Sequence, residues 1–198
     1  MTRIALALIM NLILLTMANA EVLSSYGGCY NSTILHFESD SKLSLTSYGI
    51  NLSGFVGNRF GWPSELNILF LQDGKIENKN QSSSIDVGSS FGLDGFSGYG
   101  GIHSISSKWK FYWGGGIHVQ GMFFISDDIE QSYINLGPGG NCSILYHLSD
   151  SWSIKMGTSV AYDLVMLILV DERFASDFTG GTSVSPSIGI TYHKKFPF

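Results

Sequence analysis

His147 and Ser149 are separated by a single residue, so a base and a nucleophile fall on the same face of an extended segment. A hydrolytic triad also needs an acid that orients the imidazole, and no Asp or Glu stands at a persuasive third position. The pair is therefore read as non-catalytic, and His118 and His193 as polar filling. The remaining candidates are charges: Asp86, Asp94, Lys110, Lys155 and Asp163, each on the polar parity of an alternating segment. Lys155 and Asp163 share one segment, but eight positions separate them by roughly 26 Å at about 3.3 Å per residue. They cannot pair with each other. Each needs a partner from another segment, such as Asp86, Asp94 or Lys110, because unpaired interior charge is costly. A plug of ion pairs is the expectation, and a narrow gated conduit the alternative. Cys29 and Cys142 show neither CxxC nor Cys-His spacing, so no metal or cofactor is indicated. They are read as two unlinked thiols, although an exported chain can also form one disulfide.

The segments that must position these residues are strands. Polar residues alternate with apolar ones along 109–125, where Trp109, Phe111, Trp113, Ile117, Val119 and Phe123 share one face and Lys110, Tyr112, His118 and Gln120 the other. The pattern repeats over 134–148, over 152–170 and over 183–198. In 152–170 the outward set is expected to run from Trp152 and Ile154 through Leu164 to Met166, Ile168 and Val170, leaving Val165, Leu167 and Leu169 inward. Earlier in the chain, 44–57 places Tyr48, Ile50, Leu52 and Val56 on one face. Leu66, Ile68 and Phe70 mark another strand after an expected turn at 58–63. Residues 75–83 read as a polar loop. The next strand is expected to hold Ile85, Val87, Phe91 and Leu93 outward and Asp86 and Asp94 inward, with a bulge between Gly95 and Gly101. The first strand, 30–37, has the poorest pattern.

The first twenty residues combine Arg3, an apolar run and the ending Ala18-Asn19-Ala20, the layout of a cleaved secretory signal peptide. The domain is then 21–198. The chain of 198 residues carries 11 Lys and Arg against 16 Asp and Glu, with no basic run, which leaves no electrostatic footprint for nucleic acid. Hydrophobic residues make up 44% and charged residues only 14%, which argues against disorder. No later stretch is apolar for long enough to cross a membrane as a helix; the longest is 164–170.

Charge is absent from the apolar parity of the last strands, where each Lys or Arg at a bilayer midplane would cost about 2–4 kcal/mol. Trp109, Tyr146, Trp152 and Tyr192 cluster near short turns and the C-terminus, where an aromatic girdle belongs. The polar faces are mostly Ser, Gly, Asn and Thr, which fit the tight interior of a small barrel better than the charged surface of a soluble sandwich. On these residues, and on an ending in which Tyr192, Phe196 and Phe198 keep one parity, the chain resembles the small eight-stranded bacterial outer-membrane proteins of the OmpX, OmpA-barrel, OmpW and opacity-protein type. The resemblance implies an all-β, eight-stranded antiparallel up-and-down transmembrane barrel. Lipid would surround it, and its C-terminal strand, with Tyr192, Phe196 and Phe198, would be recognised by the outer-membrane assembly machinery.

Three functions are open from sequence. The first is a monomeric, non-enzymatic outer-membrane barrel whose loops 72–83 and 171–182 meet host or extracellular molecules, serving adhesion, surface exposure or envelope integrity. The second is a narrow channel or transporter for ions or small apolar solutes, motivated by Val165, Leu167 and Leu169 as an inward oily lining. The third is a secreted soluble β domain.

Overall fold

The computed structural model describes residues 22–57, 59–78, 81–85, 87–124, 132–168, 173–174 and 178–194. The expected signal peptide, the loop 126–130, Asp86, Leu169, Phe196 and Phe198 lie outside them. In chain order the elements are β1 (Val22–Phe37), β2 (Lys42–Gly57), β3 (Phe60–Asn78), β4 (Gln81–Ile85), β5 (Phe91–Ser104) and β6 (Trp109–Phe123). They continue with β7 (Tyr133–His147), β8 (Trp152–Asp163), β9 (Val165–Ile168), β10 (Arg173–Phe174) and β11 (Phe178–Lys194).

Consecutive antiparallel pairing runs β1–β2–β3–β5–β6–β7–β8–β11. β11 then pairs with β1, from Val22↔Lys194 to Phe37↔Phe178. The wall is thus a closed eight-stranded antiparallel barrel, in which every strand edge is covered. β4 folds back on the far end of β3, from Gly74↔Ile85 to Asn78↔Gln81, and β10 folds back on β9. One end of the barrel therefore carries tight turns. There Ile105 N and Leu148 N donate to Trp109 O and Trp152 O. The other end carries the β3–β4 hairpin.

The alternation works because each wall faces two environments. Outward, Tyr26, Tyr48, Ile50, Ile117, Met156, Val160, Ile188 and Ile190 are exposed. Inward, Asn31, Thr33, Asn51, Asn67, His118, Gln120, Ser153, Ser185 and Thr191 are buried. Small residues let the wall bend sharply. A Cβ added to Gly49, which faces inward on β2, would overlap the carbonyl of Ile68 on β3.

Several local expectations are corrected. The first strand begins at Val22 rather than residue 30. The turn at 58–63 is shorter than expected, since Gly61 to Pro63 already pair with β2 and Phe60 with Gly101 on β5. The supposed loop 75–83 is largely the β3–β4 hairpin. A one-residue bulge does occur on β3, where Thr46 faces Asp73 and Ser47 faces Leu71. None interrupts 95–101: the β5–β6 register runs unbroken from Phe91↔Phe123 to Ser104↔Lys110. Phe96 simply points inward, buried, while Tyr99 points outward. Val87 is also buried inside, because the chain breaks between β4 and β5 and resets its parity.

A second reset occurs at Leu164. β7 pairs with β8 through Gly139↔Ala161, yet with β9 through Leu136↔Val165, so Leu164 is an extra residue. Beyond it Met166, expected outward, is buried opposite Asn135, and Ile168 opposes Tyr133 on the same inward side. Val165, opposite the exposed Leu136, and Leu167 turn outward.

Candidate functional site

The interior has two layers. At the hairpin end Leu35, Leu43, Leu45, Leu69, Leu71, Val87, Met122, Phe124 and Met166 form one apolar cluster, which also reaches Cys29. Leu35, Leu69 and Met122 have no exposed surface, so this layer is close-packed.

Below it lies a polar layer. His118 projects from β6 between two carboxylates, with Nε2 2.8 Å from Asp94 Oδ1 on β5 and Nδ1 2.9 Å from Asp163 Oδ1 on β8. Asp94 Oδ2 accepts from Ser185 Oγ at 3.1 Å, Asn31 Nδ2 at 3.2 Å and Asn67 Nδ2 at 3.3 Å. Asn31 Nδ2 also donates to Ser185 Oγ at 2.6 Å, and Thr33 links Asn31 to Gln120. This network ties β1, β3, β5, β6, β8 and β11 together across the lumen.

A second acid, Glu65, gathers Asn51 Nδ2 at 3.0 Å, Ser159 Oγ at 3.3 Å, Asn67 Nδ2 at 3.4 Å and Asn141 Nδ2 at 3.5 Å. Lys155 is buried with Nζ 2.5 Å from Ser53 Oγ, and Glu65 is the acid whose field acts on it. Nearer the tight turns Tyr112 donates to Gly54 O at 2.9 Å and packs edge-on to Phe55. At the mouth itself Ser153 Oγ lies 2.8 Å from His147 Nδ1 and 2.6 Å from His193 Nε2.

The structure thus sorts the charges expected from sequence. Asp94 and Asp163 are brought together, but through His118, the residue read as filler. Lys155 bonds to Ser53 in the field of Glu65, whose group is linked to Asp94 through Asn67. Lys110 is half-buried opposite Leu145 near the tight-turn mouth. His147 and Ser149 form no dyad. The hydroxyl of Ser149 accepts from the backbone N–H groups of Trp152 and Ser151, while His147 bonds to Ser153. Glu65 was missed. Its signal was present, since Leu66, Ile68 and Phe70 outward force Glu65 and Asn67 inward. Both thiols are free, Cys29 on the interior side and Cys142 on the outward parity of β7. Among the described residues, no three His, Cys, Asp or Glu side chains are grouped to hold a metal.

On β8 the exposed outward face runs from Trp152 through Met156 and Val160 to Tyr162. That is roughly 33 Å of strand and about 25 Å of height at the ~40° tilt of membrane barrels, the height of their apolar band. At the tight-turn end Trp109 packs on Tyr146 at 4.7 Å and Trp152 on Tyr192 at 5.0 Å, forming an aromatic girdle.

A closed eight-stranded wall with a lipid-type exterior and a filled polar lumen has the fold of the small transmembrane barrels of outer membranes. No family model and no curated protein matches the sequence. Solved structures do match in fold. Outer membrane protein OprG from Pseudomonas aeruginosa aligns at TM-score 0.60 and 11% identity over 91% of this chain and 99% of that one. Outer membrane protein AlkL in lipid bilayers aligns at 0.59 and 14% over 91% and 92%. Neisserial surface protein A aligns at 0.57 and 9% over 87% and 97%.

Proposed function

We infer that this chain is an exported, monomeric, non-enzymatic outer-membrane protein that acts at the cell surface through its projecting loops, in adhesion, surface exposure or envelope integrity. The filled lumen carries this reading. Leu35, Leu69, Met122, Gln120, Asn31, Asn135 and Asp163, from five different strands, are all without exposed surface, so the wall encloses a plug rather than a path. The wall then serves as a stiff pedestal for the β3–β4 hairpin. On this reading lipid surrounds the apolar band, and the C-terminal strand with Tyr192, Phe196 and Phe198 is the handle for the assembly machinery.

The channel reading rested on Val165, Leu167 and Leu169 as an inward lining. The first two face outward, and the apolar residues inside that end are close-packed, so the reading has lost its lining residues among those described.

The test combines two measurements on one protein. Protease added to intact cells should cut within the β3–β4 hairpin, and purified protein in planar bilayers should give no discrete conductance. A hairpin protected on intact cells but cut after lysis, or reproducible single-channel steps, would overturn the surface reading.

A further inference from the structure

A small cavity lies just inside the tight-turn mouth. One ammonium and four aliphatic hydroxyls line it, those of Lys155, Ser25, Ser53, Ser143 and Thr191, within a shell of apolar and aromatic side chains. No carboxylate of the described residues is part of that lining. The centre of a water-sized sphere has about 10 Å³ to move in there, so one small ion fits.

The ammonium is short of acceptors. It carries three N–H groups, and Ser53 Oγ, at 2.5 Å, is the one acceptor it reaches among the described residues. Glu65 acts on it only through its field, since the Glu65 oxygens are taken by Asn51, Asn67, Asn141 and Ser159. The hydroxyls, by contrast, have protons to spare. Ser25 and Thr191 share one hydrogen bond at 2.6 Å, which uses one of their two protons, and Ser143 Oγ has no partner among the described residues. Two N–H groups and two hydroxyl protons are therefore left for a space that offers them no charged acceptor. A water accepts from two such donors but leaves the buried ammonium without a counter-ion, which is costly. A monovalent anion meets both demands.

The approach to the cavity has the matching sign. Lys110 shares the inward parity of Tyr112 and is half-buried at the mouth, and its charge acts on His147 more strongly than that of Asp150 does. Further in, the Glu65 network and the apolar layer fill the lumen, so an ion that enters here stops here. We propose that this cavity binds a single chloride-sized anion, held by Lys155 Nζ, Ser143 Oγ and a hydroxyl of the Ser25–Thr191 pair. The anion is the counter-ion of Lys155, and its site is a blind pocket of the lumen. The proposal stands on the closed wall and its filling, independently of the surface reading above.

The folded full-length protein in a zwitterionic detergent is unfolded with urea in sodium gluconate and in sodium chloride of equal ionic strength, gluconate being too large for the cavity. Replacing gluconate by chloride should raise the folded-to-unfolded ratio about 10-fold by the point where chloride reaches about ten times its Kd. Ser143→Ala should shrink that advantage and Lys155→Met should abolish it, while Lys42→Gln, at the far end of the barrel, should leave it intact. Crystals grown in sodium bromide should show an anomalous peak within hydrogen-bond reach of Lys155 Nζ. That measurement uses the unsubstituted protein and decides the matter even if Lys155→Met fails to fold. Equal stability in the two salts, a bromide-free cavity holding only water, or a chloride advantage that survives Lys155→Met would each overturn the proposal.

Discussion

Asp94 and Asp163 stand on different strands and do not touch. The ring of His118 joins them, one nitrogen on each carboxylate. All three side chains are buried, so neither acid can fall back on solvent if the imidazole is removed.

His118→Leu should therefore destabilise the barrel by about 3–5 kcal/mol, the usual cost of stripping one member from a buried charge group. Urea unfolding in lipid, followed by tryptophan fluorescence, reads this directly. Adding Asp94→Asn and Asp163→Asn to the same variant should restore most of the loss. A single variant as stable as the wild type would show that the clasp contributes nothing.

Gly49 and Gly115 make a matched pair. Gly49→Ala drives a methyl group into the Ile68 carbonyl and should cost at least about 1–3 kcal/mol, seen as a lower yield of heat-modifiable barrel. Gly115 points outward with nothing within 4 Å of an added Cβ, so Gly115→Ala should fold normally. Equal behaviour of the two would contradict the sharp bend assigned to the β2–β3 wall.

The Glu77 carboxyl, on the hairpin beyond the apolar band, is held below the usual glutamate range. The hydrogen bond from Lys75 contributes most, then the charges of Lys75 and Lys42. Its folded value is depressed, so its contribution is present above the ordinary glutamate pKa and fades as pH falls through the folded one. A carboxyl-resolved NMR titration should find Glu77 ionising below that ordinary value, and Lys75→Gln should move it upward. An unmoved midpoint in that variant would refute the assignment.

Deleting Phe198 should lower membrane-assembled protein several-fold in cells while leaving refolding of purified chain into detergent nearly intact. Quantitative fractionation set beside in vitro folding tests both halves. Normal assembly without Phe198 would remove the terminal aromatic from the recognition signal.

The clean walls, β6, β7 and β8 up to Asp163, were legible because their interiors are polar and their exteriors apolar, which is the contrast that alternation records. β1 was not. Leu35 and Cys29 point into the apolar layer while Ser24 and Ser32 take the outward parity, so both faces mix classes and the period of two disappears. The same apolar layer hid the reset at Leu164. In the run 164–170 every residue is apolar, and a one-residue shift leaves no mark on such a sequence. Asp94, Lys155 and Asp163 follow parity into the interior, as does Glu65, which the sequence reading passed over. Their partnership was not legible, because it depends on which strands face each other across the lumen, and sequence spacing along one strand carries no such information.

Ser25 and Thr191 share a hydrogen bond across the β1–β11 seam although they are 166 positions apart in the chain. Until β11 arrives, β1 presents an open edge, ready to pair with whatever strand it meets. β11, the last of the described strands, is thus the one that makes β1 safe. A chain lacking β11 is left with an adhesive border rather than a smaller barrel, so the wall settles as one piece or not at all.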